Sequence, residues 1–125
     1  MFDKLEDLIG VPYITDGRDP SVGLDCLGLV WWVGDTILGI DMDLEKPSTW
    51  MRFARKLEPN EEMIRHDFIL MYGSLLNQGL VTHTGIALDS DNIVHASIFH
   101  GSVVCERLSR LSHAIRGTYR MKVQS

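Results

Sequence analysis

The chain has 125 residues, 12 Lys and Arg against 17 Asp and Glu for a formal charge of −5, 45% apolar content and a mean hydropathy of +0.01. Such a chain buries roughly two-thirds of its unfolded surface as one domain, residues 1–125, and needs no disulfide framework or structural metal to hold a core. The acidic balance and the lack of a Lys/Arg cluster exclude the electrostatic term on which nucleic-acid and anionic-membrane binding depend, so neither is expected as a partner. Met1 to Asp7 has no basic run followed by an apolar one, and no stretch of about 18 apolar residues follows. The expectation is a protein made in the cytoplasm without a signal peptide. Cys26 and Cys105 stand far apart with no CxxC pattern, which suggests free thiols rather than a zinc site, although one bridge between them stays open.

In chain order, Phe2, Leu5, Leu8 and Ile9 fall on one face of a short helix over Asp3 to Ile9, stopped by Gly10, and Val11-Pro12-Tyr13 runs extended. Thr15 to Ser21 is dense in turn formers and reads as a loop delivering the chain to Asp25. From Cys26 to about Leu38 apolar residues cover most of the circumference of a largely buried helix, with Asp25 as its N-cap. Pro47 suits a first helical turn, and Trp50, Phe53, Ala54 and Leu57 follow at helical spacing with Pro59 beyond, so a second helix is predicted there. After Asp67 the pattern turns to strands: Phe68 to Tyr72, Thr84 to Leu88, Asn92 to Ser97, Ser102 to Cys105 and Ile115 to Met121, with hairpin turns at Asp89–Asn92 and His100-Gly101. Helices followed by an antiparallel run point to an α+β domain.

Cys26, directly after an N-cap, lies where unpaired backbone N–H groups and the helix dipole favour a thiolate. Those N–H groups can also receive the oxyanion formed on an attacked carbonyl. A nucleophile needs a base and a group to orient that base. His83 and His95 lie in the two runs joined by the Asp89–Asn92 turn and share a face; strict register sets residue 83 opposite 98, and a small stagger makes His95 its diagonal neighbour. The same residues read equally as a small core thiol and two half-buried polar side chains. Cys105, beside Val103 and Val104, reads as core. His66, His100 and His113 read as surface or local hydrogen-bonding residues, and no spacing suggests a metal or another cofactor.

These segments resemble the NlpC/p60 cell-wall peptidases. Gly10-Val11-Pro12-Tyr13 is similar to the family's G-x-P-Y segment, and Gly23-Leu24-Asp25-Cys26-Leu27-Gly28-Leu29-Val30 to its G-x-D-C-S-G-L-V nucleophile segment. His66-Asp67-Phe68-Ile69-Leu70-Met71 is similar to G-D-L-V-F-F, His83-Thr84-Gly85-Ile86-Ala87-Leu88 to H-V-G-I-Y-L, and Ile93-Val94-His95-Ala96-Ser97 carries the I-H-A-S pattern. The resemblance implies a papain-like α+β fold, with Cys26 as nucleophile, His83 as base and His95 as the third catalytic residue. Tyr13, Asp25 and Leu27 are then substrate-side residues, and no cofactor is used. It implies hydrolysis of amide bonds in peptidoglycan stem peptides, typically between D-glutamate and a diamino acid. Leu27 replaces the Ser that receives the polar end of the stem peptide, and Asp16-Gly17 replaces a double glycine. D-C-L-G-L resembles phage-encoded members, which implies tail proteins as partners and a place in the virion. Two other readings stand beside this one: a non-catalytic tail-assembly protein with Trp31, Trp32 or Trp50 at an interface, and a thiol amidase acting on another amide.

Overall fold

The computed structural model describes residues 2–43, 46, 50, 52–71 and 83–122. Two short strands, β1 (Arg18–Asp19) and β2 (Gly23–Leu24), form an antiparallel pair within and beyond the expected loop, and lead into helix α1 (Cys26–Trp32). The helical path then widens into a π-helical segment, Val33–Ile37. A six-stranded antiparallel sheet follows: β3 (Ala54–Lys56), β4 (Phe68–Met71), β5 (His83–Ala87), β6 (Asn92–Ser97), β7 (Ser102–Arg107) and β8 (Ile115–Met121), in the order β3-β8-β4-β5-β6-β7. A single turn, α2 (Leu108–Leu111), links β7 towards β8. No described helix is long and apolar enough to cross a membrane.

The period of two sorts the sheet residues into two layers. Phe68, Ile86 and Val94 sit opposite one another in register and pack with Ala96 and Val103 against Leu29, Val30 and Val33 of the helix. Ile69, Ala87 and Ile93, each one position along, turn to the other side and pack with Met63, Met71 and Ala114. The N-terminal segment closes the helix side: Leu5 and Leu8 are fully buried, the Val11 carbonyl accepts from the Val103 N–H of β7, and the Gly10 N–H donates to the Val103 carbonyl.

Several expectations change. The first helix is only a 3-10 turn, Leu5–Leu8, because the backbone is already extended at Ile9, which is exposed; Gly10, at φ 97°, supplies the expected stop. The helix predicted after Pro47 is not continuous, since Ala54–Lys56 pair with Met121–Tyr119 as an edge strand. Pairing with β8 satisfies the backbone there, and Trp50 and Phe53 still face the core. Pro47, Ser48, Thr49 and Met51 lie outside the described residues, as does Tyr72 of the strand predicted from Phe68. Cys105 is exposed rather than core, because β7 is the outer strand of the sheet. Trp50 is buried and donates its indole N–H to the Asp43 carbonyl, and Trp31 and Trp32 are half-buried.

What positions α1 is one carboxylate. Asp25 Oδ1 accepts from the Gly28 N–H at 2.7 Å and from Arg18 Nη1 at 2.6 Å, while Oδ2 accepts from the Asp16 N–H at 2.9 Å. The same group therefore caps the helix and fixes the loop in front of it. Gly28 is required by the same closeness, since a Cβ there would collide with the Gly17 carbonyl oxygen. Asp25→Ala, which leaves three donors without their acceptor, is expected to lower the unfolding free energy by about 2 kcal/mol, read from the urea midpoint at unchanged slope. A loss below about 0.5 kcal/mol would show that the cap and its loop are held by other contacts.

Candidate active site

Cys26 is the first residue of α1, half-buried, with its carbonyl accepting the Thr84 hydroxyl at 3.1 Å. That bond ties Cys26, the candidate nucleophile, to the start of β5, one position from His83. The capping bonds engage the N–H groups of Gly28 and Leu29 and leave that of Cys26 outside them.

His83 opens β5 and its side chain lies on the opposite side from that of Thr84, next to β6. The observed pairs Ile86↔Val94 and Ala87↔Ile93 continue to place 83 opposite 97, one position from strict symmetry about the turn, so His95 is its diagonal neighbour as expected. The rings meet edge to face with His83 Nε2 2.8 Å from His95 Nδ1. Gly85 makes room for this: a Cβ there would lie 2.9 Å from Ile93 Cγ2 and 3.2 Å from His95 Cβ. The second nitrogen of His95, Nε2, lies 2.8 Å from Glu106 Oε1, forming a row of three side chains across β5, β6 and β7. His83 Nε2 is thus occupied, and Nδ1 is the nitrogen left for a thiol. Among the described residues no hydrogen bond joins Cys26 Sγ to that ring; the link between the two elements is the Thr84 bond.

Burial sets the charges. It pushes the Cys26 thiol up, aided by the Asp25 carboxylate and opposed by hydrogen bonds from Thr84 and from the Leu27 N–H. Desolvation of the anion thus works against the helix-start donors that favour a thiolate. Burial likewise pulls His83 down to about 4, reinforced by His95 and opposed by Glu106. Desolvation thus works against charge on both side chains.

Tyr13, half-buried, bridges to Leu24, two residues before Cys26, and its phenol is pushed up chiefly by burial. Leu27 is half-buried next to Cys26. Asp25 has both oxygens occupied by donors of its own chain. His66, His100 and His113 lie apart from the row, His100 bonding Ser97 at the β6–β7 turn. Glu106 and Thr84 were not singled out by the sequence reading. Glu106 was legible in principle, since the His100-Gly101 turn pairs 95 with 104 and leaves 106 diagonal to His95 on the same face.

The geometry has parallels in known proteins. The NlpC/P60 family profile matches residues 10–118. Gamma-DL-glutamyl hydrolase of Bacillus subtilis is 32% identical over 94 residues, and Probable endopeptidase YafL of Escherichia coli 26% identical over 111. Those alignments cover 75% and 87% of this chain but only 22% and 42% of the relatives' own lengths. The solved NlpC/p60 domain of the peptidoglycan hydrolase SagA superposes with a TM-score of 0.68 at 26% identity, covering 94% of this chain and 92% of that one. A helix-start Cys and a strand-borne His pair, on a papain-like α+β fold matched from Gly10 to Thr118, place this chain in the NlpC/P60 family.

Proposed function

We propose that the protein is a cysteine peptidase that cleaves amide bonds of peptidoglycan stem peptides, with Cys26, His83 and His95 as its catalytic residues. The observation that carries this reading is the 2.8 Å contact fixing His83 against His95 at the end of β5, on the strand that Thr84 ties to Cys26. As the substrate carbonyl enters, Cys26 Sγ bonds to its carbon while His83 takes the thiol proton, and the Cys26 backbone N–H donates to the oxyanion. His83 returns that proton to the leaving amine nitrogen as the C–N bond breaks, leaving a thioester. Water, deprotonated by His83, then attacks the thioester carbon; the C–S bond breaks and the sulfur regains a proton. The Sγ–Nδ1 hydrogen bond that starts the cycle is made in the substrate complex, as is common where the free enzyme is loosely aligned.

A γ-D-glutamyl amide as the scissile bond is supported by the name of the Bacillus subtilis relative and by the cell-wall hydrolase among the solved structures. Tyr13 positions the substrate beside the thiol. Leu27, apolar where a Ser is usual, makes the neighbouring subsite apolar, and Asp25 acts by bracing the loop and helix. A phage-tail setting rests on the D-C-L-G-L segment, Asp25 to Leu29.

Cys26→Ala is expected to reduce release of D-glutamyl products from muropeptides by about 10⁴-fold or more, with the circular dichroism spectrum and urea midpoint unchanged. Comparable activity in that variant would defeat the assignment, and an active wild type that leaves muropeptides intact but cleaves another amide would move the substrate class. The pH profile follows from His83: the base must be neutral, its acidity lies at about 4, and activity therefore rises as pH rises through that value. A plot of kcat/KM should climb with a midpoint near 4 and stay level through neutrality. An acid limb centred near the unperturbed imidazole value of about 6.5 would contradict the neutral, desolvated base.

A further inference from the structure

We infer that Glu106 is a positioning residue whose carboxylate decides which nitrogen of His83 carries the proton. The inference rests on the peptidase reading for its catalytic consequence, but its geometry stands without it. An ionised carboxylate only accepts hydrogen bonds, so in the Glu106–His95 contact the proton belongs to His95 Nε2. A neutral imidazole has one N–H, so His95 Nδ1 is then an acceptor, and the proton in the ring-to-ring contact belongs to His83 Nε2. His83 Nδ1 is left with its lone pair, the form a base needs. The direction of three side chains is set from the carboxylate end.

The surroundings favour this direction. His95 is buried, with 7% of its side chain exposed against 20% for Glu106, so water competes weakly for either ring nitrogen. Among the described residues His95 is the one hydrogen-bond partner of the Glu106 carboxylate, and Cys105 beside it is pushed up by burial and by Asp89 and Glu106. Without Glu106, His95 can place its proton on Nδ1 and donate to His83 Nε2, which forces the His83 proton onto Nδ1 and removes the lone pair that a base needs there. Holding the wrong tautomer in a related triad costs about 10⁴-fold; at one residue's remove a mixed population and a loss of about 10- to 100-fold are expected.

The test is ¹⁵N–¹H correlation of the ring nitrogens at pH 7.5 in the full chain, wild type and Glu106→Ala, paired with muropeptide kinetics. Both wild-type rings should carry the proton on Nε2, and Glu106→Ala should move His83 towards Nδ1–H while lowering kcat about 10- to 100-fold at an unchanged KM. A wild-type His83 protonated on Nδ1, or a Glu106→Ala spectrum and kcat identical to wild type, would overturn the inference. The peptidase reading fails separately: it falls if activity is indifferent to Cys26→Ala, even where the tautomers are as expected.

Discussion

The site depends on the Asp25 carboxylate. Three donors from three directions, a loop N–H, a guanidinium and a helix N–H, converge on its two oxygens. A short helix with its first N–H groups unpaired would fray, and its first residue would have no fixed position. Here that first residue is Cys26. Each bond is individually modest, but together they determine where the sulfur stands relative to the sheet, and Gly28 and Gly17 supply the close backbone approach that the arrangement needs. The carboxylate has no oxygen left over for substrate, so its contribution to chemistry is made through position.

Burial then governs the electrostatics on both sides of the cleft. A helix start favours an anion, yet Cys26 is held up because removing the thiolate from water costs more than the surrounding donors return. His83 is held down by the same desolvation. Burial thus opposes charge on both side chains, the reverse of what a helix start alone would favour.

Much of this was legible in the sequence, and the reasons differ by residue. Asp25 before Cys26 specified a cap, and alternation over 83–97 specified a hairpin with both histidines on one face; those signals are local, and local hydrogen bonding honours them. Trp50, Phe53 and Ala54 misled because apolar spacing of three and four also fits a chain that turns its aromatics inward and then joins a sheet edge supplied by residues 119–121. Edge pairing with a distant strand leaves little trace in the segment itself. Cys105 misled for the converse reason: alternation identifies a face but does not say whether a strand is central or marginal, and β7 is marginal. Glu106 escaped because the predicted strand ended one residue too soon.

The Thr84–Cys26 bond has a consequence for the order in which the molecule assembles. Its partners are 58 residues apart in the chain, and the histidine row is completed only by residue 106. Closing so long a loop is entropically unfavourable until the sheet hairpins exist to receive the helix, so non-local pairing comes late and sets the pace of folding. A growing chain that has already formed its capped helix carries a thiol with no base. The helix start and the histidine row are therefore brought together only when the sheet docks.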